Sequence, residues 1–154
     1  MNKCLLFSVG ATAAFMLSAA VADDTSPKCK SRGDLAGPCY QVHGRLNAWN
    51  GGPATEKIWV VGTRRLLAVY SRSDYSSVMP KAISDQLNSF DTKIFADFLV
   101  CPLEKEKPRV MGYICVESAK NILVERHETI DGHDHVRYEQ IPDTQGGQLT
   151  DANK

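Results

Sequence analysis

The chain has 154 residues, of which 43% are hydrophobic and 23% are charged, the profile of a soluble globular protein long enough for one domain and short for two. Lys plus Arg and Asp plus Glu each total 18, so the formal net charge is zero. No global basic field therefore supports nonspecific binding to nucleic acid or to an anionic membrane.

The first segment, residues 1–22, has the features of a cleaved secretory signal peptide. Lys3 gives it a positive start, residues 4–19 are uncharged, and Ala20 and Ala22 form a small-residue cleavage site. The uncharged stretch is shorter than the roughly 20 residues of a membrane-spanning helix, and no basic stop-transfer segment follows it. The sequence therefore predicts export to the periplasm or the medium, with no membrane span left after cleavage.

Four cysteines follow the signal segment: Cys29, Cys39, Cys101 and Cys115. An even number in an exported chain predicts two disulfide bonds. Three pairings are possible. The short, turn-rich segments between neighbours favour Cys29 with Cys39 and Cys101 with Cys115, although spacing alone does not decide. Zinc binding is the alternative, but the Cys-x-x-Cys spacing common in zinc sites is missing.

The mature chain begins with an irregular arm, residues 23–38, which is rich in Asp, Ser, Pro and Gly and is tied down by its cysteines. Apolar and polar residues then alternate, which predicts a long first strand with Val42 and Leu46 facing a core. Gly44 within this strand indicates a bend or bulge. Residues 50–53 predict a turn.

The rest of the chain contains further strands, one helix and a polar end. Apolar runs predict strands at residues 56–61, 65–70, 93–103 and 109–119, with 121–126 as a continuation of the last. A short amphipathic helix is predicted over residues 80–90. Residues 128–154 are predicted to form a polar, flexible tail.

The order of these elements is three strands, a helix and two strands. This is the order of an OB-type barrel, in which a helix between the third and fourth strands plugs one end of a small closed sheet. We therefore predict a mainly β protein with a five-stranded OB-like barrel over residues 39–127. A small β-sandwich or an open roll is the alternative architecture.

Two long segments, CYQVHGRLNAWNGGPATEKIWVVGTRRLLAV and FADFLVCPLEKEKPRVMGYICVESA, cover most of residues 39–119. They resemble a family of small exported bacterial proteins of uncharacterised function. The resemblance implies a periplasmic or secreted location. It carries no activity, cofactor or catalytic residue that could be transferred to this chain.

The best candidate for function is a binding surface on the outer side of the first strands. Arg45, Asn47 and Trp49 share the outward parity of the first strand, and Trp59 lies on the second. A guanidinium, an amide and two indoles could bind a sugar, a base or a partner's side chain. The structural alternative is that both tryptophans only cover the core.

Catalytic motifs are scarce in the sequence. It contains no Gly-x-Ser-x-Gly elbow, phosphate-binding loop or dinucleotide fingerprint. Asp97 and Glu117 lie on the two strands of the last predicted hairpin and could act as a general acid and base, as in a small periplasmic hydrolase. Two solvated or neutralised carboxylates are the simpler interpretation.

Three histidines near the end of the chain, His127, His133 and His135, are weak candidates for a metal site, together with Asp131 and Asp134. A solvated tail is the simpler interpretation, because the ligand spacing of structural metal sites is missing. The sequence therefore predicts no metal and no cofactor. The favoured function is a noncatalytic exported binding module whose partner is an oligosaccharide, a nucleic acid or an envelope protein, with a structural or inhibitory protein-binding domain as a further alternative.

Overall fold

The structure, a computed structural model, describes residues 29–50, 56–69 and 78–144. The predicted signal peptide, most of the predicted turn at 50–53 and the end of the predicted tail lie outside these residues. The described elements, in chain order, are a 3-10 turn at Cys29–Ser31, β1 (Tyr40–Ala48), β2 (Glu56–Val60), β3 (Leu66–Val69), the helix α1 (Lys81–Ser84), β4 (Lys93–Pro102), β5 (Gly112–Ile130) and β6 (His133–Ile141).

Five of the strands form a closed, barrel-like ring. The sheet order is β3-β2-β1-β4-β5-β6, and an additional pairing joins β3 to β5. This last pairing is parallel and places Leu67 opposite Gly112, whereas the other strand pairs are antiparallel. The predicted mainly β, OB-like barrel with a helix between the third and fourth strands is confirmed.

The alternation of β1 sends one set of side chains into the barrel. Val42 and Leu46 are buried, while Gln41 and His43 are exposed. Gly44 lies on the inward side, where a Cβ atom would overlap the Cγ2 atom of Ile58 and lie 3.3 Å from the carbonyl oxygen of Trp59. Glycine therefore lets β1 and β2 approach closely at this point, as the interior of a small barrel requires.

The helix α1 is shorter than the predicted 80–90 and ends at Ser84. Met79 and Ile83 are fully buried in the barrel core. Turn-forming polar residues follow, and Phe90 is 59% exposed instead of continuing an apolar helical face. One helical turn is enough to bring the two apolar side chains into the core.

The predicted flexible tail from residue 128 is wrong for the described part of the tail. Residues 122–130 of β5 and 133–141 of β6 form an unbroken antiparallel hairpin. Its turn is Asp131–Gly132, with φ values of 51° and 79°. An Asp-Gly pair between two extended segments is a strong local signal for a type I′ turn, so the sequence does contain evidence for the hairpin. A tail was predicted instead because the segment has few apolar residues.

The four cysteines of the described residues form two disulfide bonds, but the favoured local pairing is wrong. Cys29 is bonded to Cys115 and Cys39 to Cys101, with sequence separations of 86 and 62. Cys101 and Cys115 are opposite each other on β4 and β5, yet each is bonded to a residue of the N-terminal region. The bonds therefore fasten the arm and the start of β1 to the β4–β5 pair.

In the ranges that the structure describes, no helix is both long and apolar enough to cross a membrane.

Candidate ligand-binding site

The centre of the candidate site is the pair formed by Arg45 and Trp59. They are register partners on β1 and β2, and both point away from the core. The guanidinium carbon of Arg45 lies 5.0 Å from the centroid of the Trp59 ring, a cation–π distance. The Trp59 residue is 37% exposed, so part of its ring is accessible at the surface.

This pair belongs to a row of outward side chains that crosses the barrel wall. The row follows the strand register from Leu66 through Trp59, Arg45, Phe95 and Leu123. One cation therefore lies among apolar and aromatic neighbours. Such a surface can pack against an apolar ring face while offering a charged donor.

A second cation–π pair lies beside the first. The ammonium nitrogen of Lys57 is 5.5 Å from the ring centroid of Trp49, which is 40% exposed. Asn47 is the register partner of Lys57 and donates from Nδ2 to the carbonyl oxygen of Ala48 at 3.3 Å. Arg45, Asn47 and Trp59 thus lie on the neighbouring strands β1 and β2, and Trp49 directly follows the end of β1. Together with Lys57 they form two adjoining aromatic–cation pairs with an amide between them.

Two polar atoms of this surface lack hydrogen-bond partners in the described part of the chain. They are Nε of Arg45 and Oδ1 of Asn47, and both are buried. Buried polar atoms are rarely left unsatisfied, since the missing bond costs about 1–3 kcal/mol. Both atoms belong to β1 residues that the sequence predicted for the binding surface.

Next to Trp59 lies a cleft that no pattern in the sequence predicted. Its volume is about 850 Å³, and it lies between the β2–β3 turn and the β4–β5 loop. Trp59 donates from Nε1 to the carbonyl oxygen of Thr63 at 2.8 Å, and Thr63 lines the cleft. The charged residues that line it are Arg64, Arg65, Lys107, Arg109 and Glu106. The cleft is therefore strongly basic although the chain is neutral.

One of the four cations is neutralised within the cleft. Arg65 forms an ion pair with Glu106 and donates to the hydroxyl of Tyr40. In the described residues, Arg64, Lys107 and Arg109 have no ion-pair partner. The two Arg residues at 64–65 and the basic run at 105–109 were available as signals in the sequence. Their proximity depends on the parallel pairing of β3 with β5, which local sequence does not reveal.

The candidate catalytic carboxylates are not brought together. Asp97 lies on the outer side of β4, where it accepts hydrogen bonds from Nδ2 of Asn121 at 2.7 Å and from Nδ1 of His43 at 2.8 Å. These bonds, first that of Asn121, lower the pKa of the Asp97 carboxyl. Glu117 is buried at a bulge of β5 and accepts from the backbone N–H of Lys30 at 3.1 Å. The hydrolase alternative therefore has no acid–base pair here.

The three histidines are divided between the two faces of the β5–β6 hairpin. His127 lies opposite Val136, whereas His133 and His135 lie opposite Ile130 and Glu128. Because side chains alternate along a strand, His127 points to one face and the other two point to the opposite face. Among the described residues, no group of three or more His, Cys, Asp or Glu side chains is arranged to hold a metal ion.

His127 instead joins a charged cluster on the outer side of the sheet. Its Nε2 lies 2.9 Å from Oε1 of Glu125, and its Nδ1 lies 3.2 Å from Oδ2 of Asp134. These contacts, first that with Glu125, raise the pKa of His127. Lys93 donates to Glu125 at 2.5 Å, and this bond is the main cause of the lowered pKa of Glu125.

Comparison of the chain with models of protein families, with curated proteins and with solved structures finds no match. The assignment of function therefore depends on the site itself.

Proposed function

We propose that this protein is an exported, noncatalytic binding module that binds an anionic oligosaccharide across the Arg45–Trp59 pair and the adjoining basic cleft. The observation that carries the proposal is the continuity of these two features. Thr63 accepts the indole N–H of Trp59 and also lines the cleft, so an exposed aromatic ring leads directly to a group of cations. OB-type barrels bind extended ligands over the sheet face and its neighbouring loops.

The side chains define the chemistry of the ligand. The exposed part of an indole can pack against the apolar face of a sugar ring, and guanidinium groups bind carboxylates in a bidentate manner. Three cations of the cleft lack an acidic partner in the described residues, which favours an anionic ligand over a neutral one. The zero net charge of the chain gives no general attraction for a long polyanion such as nucleic acid.

The proposed location agrees with the disulfide bonds. Cys29–Cys115 and Cys39–Cys101 are both formed, and disulfides persist mainly in oxidising compartments. Together with the predicted signal peptide at residues 1–22, they support export to the periplasm or the medium. Protein purified from that compartment should begin at Asp23 and should be four hydrogens lighter than the reduced chain. A mature protein that keeps residue 1 would contradict export by cleavage.

Isothermal titration calorimetry with three probes tests the binding proposal. The probes are an oligogalacturonate as the anionic glycan, a neutral dextran oligomer and a single-stranded oligothymidylate. We expect binding of the oligogalacturonate, weakened by added salt, and no binding of the dextran. Binding of the oligothymidylate alone would overturn the glycan assignment and indicate a nucleic-acid ligand.

Two variants connect the binding to the site. Trp59→Ala should weaken binding of the oligogalacturonate by about thirtyfold, the loss expected for a hot-spot aromatic residue. Phe90→Ala is the matched control, because Phe90 is an exposed aromatic residue that, among the described residues, neither contacts a cation as Trp59 does nor lines the cleft. Equal affinities of the two folded variants would place the ligand elsewhere.

A further inference from the structure

Strand β6 is an edge strand that pairs with β5 alone among the described residues. It is nine residues long, and all of them except Ile141 are exposed. Natural sheets protect such edges with charged side chains, above all Lys, and with Pro, bulges or very short strands. β6 has no Lys, no Pro and no break in its register, and its charged residues, Asp134, Arg137 and Glu139, are of both signs. Among the described residues, this edge is therefore open to a strand of complementary charge.

The β5–β6 turn decides which backbone groups of β6 are free. Asp131 and Gly132 form a two-residue turn with positive φ at both positions. In such a hairpin the flanking residues, Ile130 and His133, form a hydrogen-bonded pair. The odd-numbered residues of β6 therefore direct their N–H and C=O groups to β5. The even-numbered residues direct theirs to the open edge.

We propose that β6 pairs with β6 of a second copy of this chain, antiparallel, about a twofold axis at Tyr138. The twofold arrangement is the usual symmetry of protein dimers. Hydrogen bonding across the new pair requires even residues opposite even residues, so the axis must pass through a residue and not between two residues. This condition leaves a small number of registers, which the side chains distinguish.

Charge complementarity selects the axis at Tyr138. In that register Arg137, which also forms an ion pair at 3.4 Å with Glu128 of its own chain, lies opposite Glu139 of the second copy. Symmetry forms the Arg137–Glu139 pair twice. An axis at Arg137 would place two arginines against each other, and an axis at Glu139 would do the same with two glutamates. An axis at Val136 would place His135 opposite Arg137. Only the first choice forms opposite-charge pairs without a like-charge contact at the centre.

The apolar side chains of the edge support the same partner. Val136 and Tyr138 are 45% and 59% exposed and lie on one face of the hairpin. In the proposed dimer, Tyr138 meets its own copy with Val136 diagonally next to it. The end of the hairpin extends past the barrel, and an isolated two-stranded ribbon is only marginally stable. Pairing of two copies converts it into a four-stranded sheet.

Charge reversal tests the register. The oxidised mature protein should have twice its chain mass in light scattering after gel filtration. Arg137→Glu and Glu139→Arg should each weaken dimerisation by about tenfold or more, because each turns two attractive pairs into two repulsive ones. The double variant with both changes should restore the dimer. A wild-type protein that stays monomeric at about 1 mM would overturn the proposal.

A proline substitution in β6 tests whether the dimer forms through the open edge of this strand. The N–H of Val136 points to the open edge, so Val136→Pro should prevent dimerisation without breaking a β5–β6 hydrogen bond. Circular dichroism and intact disulfides would show that this variant is folded. A dimer that survives Val136→Pro and both charge reversals would use another surface and would overturn the proposal.

Discussion

Cys39 continues the β1–β4 register by one residue and lies against Cys101, with their Cα atoms 4.1 Å apart. The last paired residues before it are Tyr40 and Val100. The disulfide therefore extends the antiparallel ladder at the point where its hydrogen bonds end. The second bond, Cys29–Cys115, fastens the arm over β5 nearby.

The disulfide pairing gives a direct test by tryptic mapping of the unreduced protein. Cleavage after Lys and Arg separates all four cysteines into different peptides. We expect the peptide of residues 33–45 to be linked to residues 94–105, and residues 29–30 to be linked to residues 110–120. A linkage between residues 29–30 and 33–45 would support the local pairing instead.

Removal of the Cys39–Cys101 bond should be costly because it closes a long loop. With a sequence separation of 62, the chain-entropy relation gives a loss of about 4 kcal/mol for the Cys39→Ala and Cys101→Ala double variant. A local bond over a separation of about 10 would contribute about 3 kcal/mol by the same relation. Urea unfolding of the unreduced wild type and of the double variant measures the difference between their free energies of unfolding.

Gly44→Ala should destabilise the barrel by about 1–3 kcal/mol, since the new methyl group overlaps Ile58 in the core. Gly112→Ala is the matched control, because a Cβ atom there meets nothing within 4 Å. Urea unfolding measures both variants. Equal stabilities would show that β1 and β2 do not approach as closely as the structure indicates.

Asn121 should contribute to stability through its backbone and its side chain. Its φ is 53°, which asparagine tolerates better than alanine. Its side-chain amide donates from Nδ2 to Asp97. Asn121→Gly removes the side-chain bond without adding strain at this φ, whereas Asn121→Ala removes the bond and adds strain of about 1 kcal/mol. Urea unfolding at pH 7 should therefore rank the wild type above Asn121→Gly, and Asn121→Gly above Asn121→Ala.

The hydrogen bond from Asn121 to Asp97 should also make the free energy of unfolding depend on pH. Because the pKa of Asp97 is lowered in the folded state, its contribution is present above the unfolded pKa of about 3.9 and is lost as the pH falls through the folded value. The stability difference between wild type and Asn121→Gly should therefore shrink in acid. A stability difference that does not change with pH would mean that the backbone at residue 121 causes it, and not the hydrogen bond to Asp97.

The contribution of His127 to stability should depend on pH in the opposite direction. Its pKa is raised in the folded state, so its contribution is fully present below the unfolded pKa of about 6.5 and is lost as the pH rises through the folded value. Glu125→Gln should lower the pKa of His127, as followed by its ring proton resonances in NMR. Glu128→Gln is the control, because Glu128 lies on the other face of the hairpin. An equal effect of both variants would contradict the contact with Glu125.

Features that depend on neighbouring residues could be predicted from the sequence. The alternation of Val42 and Leu46 with polar residues placed β1 in a barrel wall, and it placed Arg45 and Asn47, at the alternate positions, on the outside. The order of strands and helix indicated the barrel. Even the missed β5–β6 hairpin had a local signal in Asp131–Gly132, which the polar composition of the segment obscured.

Contacts between distant residues could not be predicted in this way, because they depend on how the strands pair in the folded barrel. The pairing of Cys39 with Cys101 depends on the β1–β4 register, and the contact of Arg45 with Trp59 depends on the β1–β2 register. The basic cleft forms because β3 and β5 close the barrel and bring the β2–β3 turn to the β4–β5 loop. Strand registers are set by the packing of the whole core, and a shift of one residue would reverse every side chain, so no short segment contains this information.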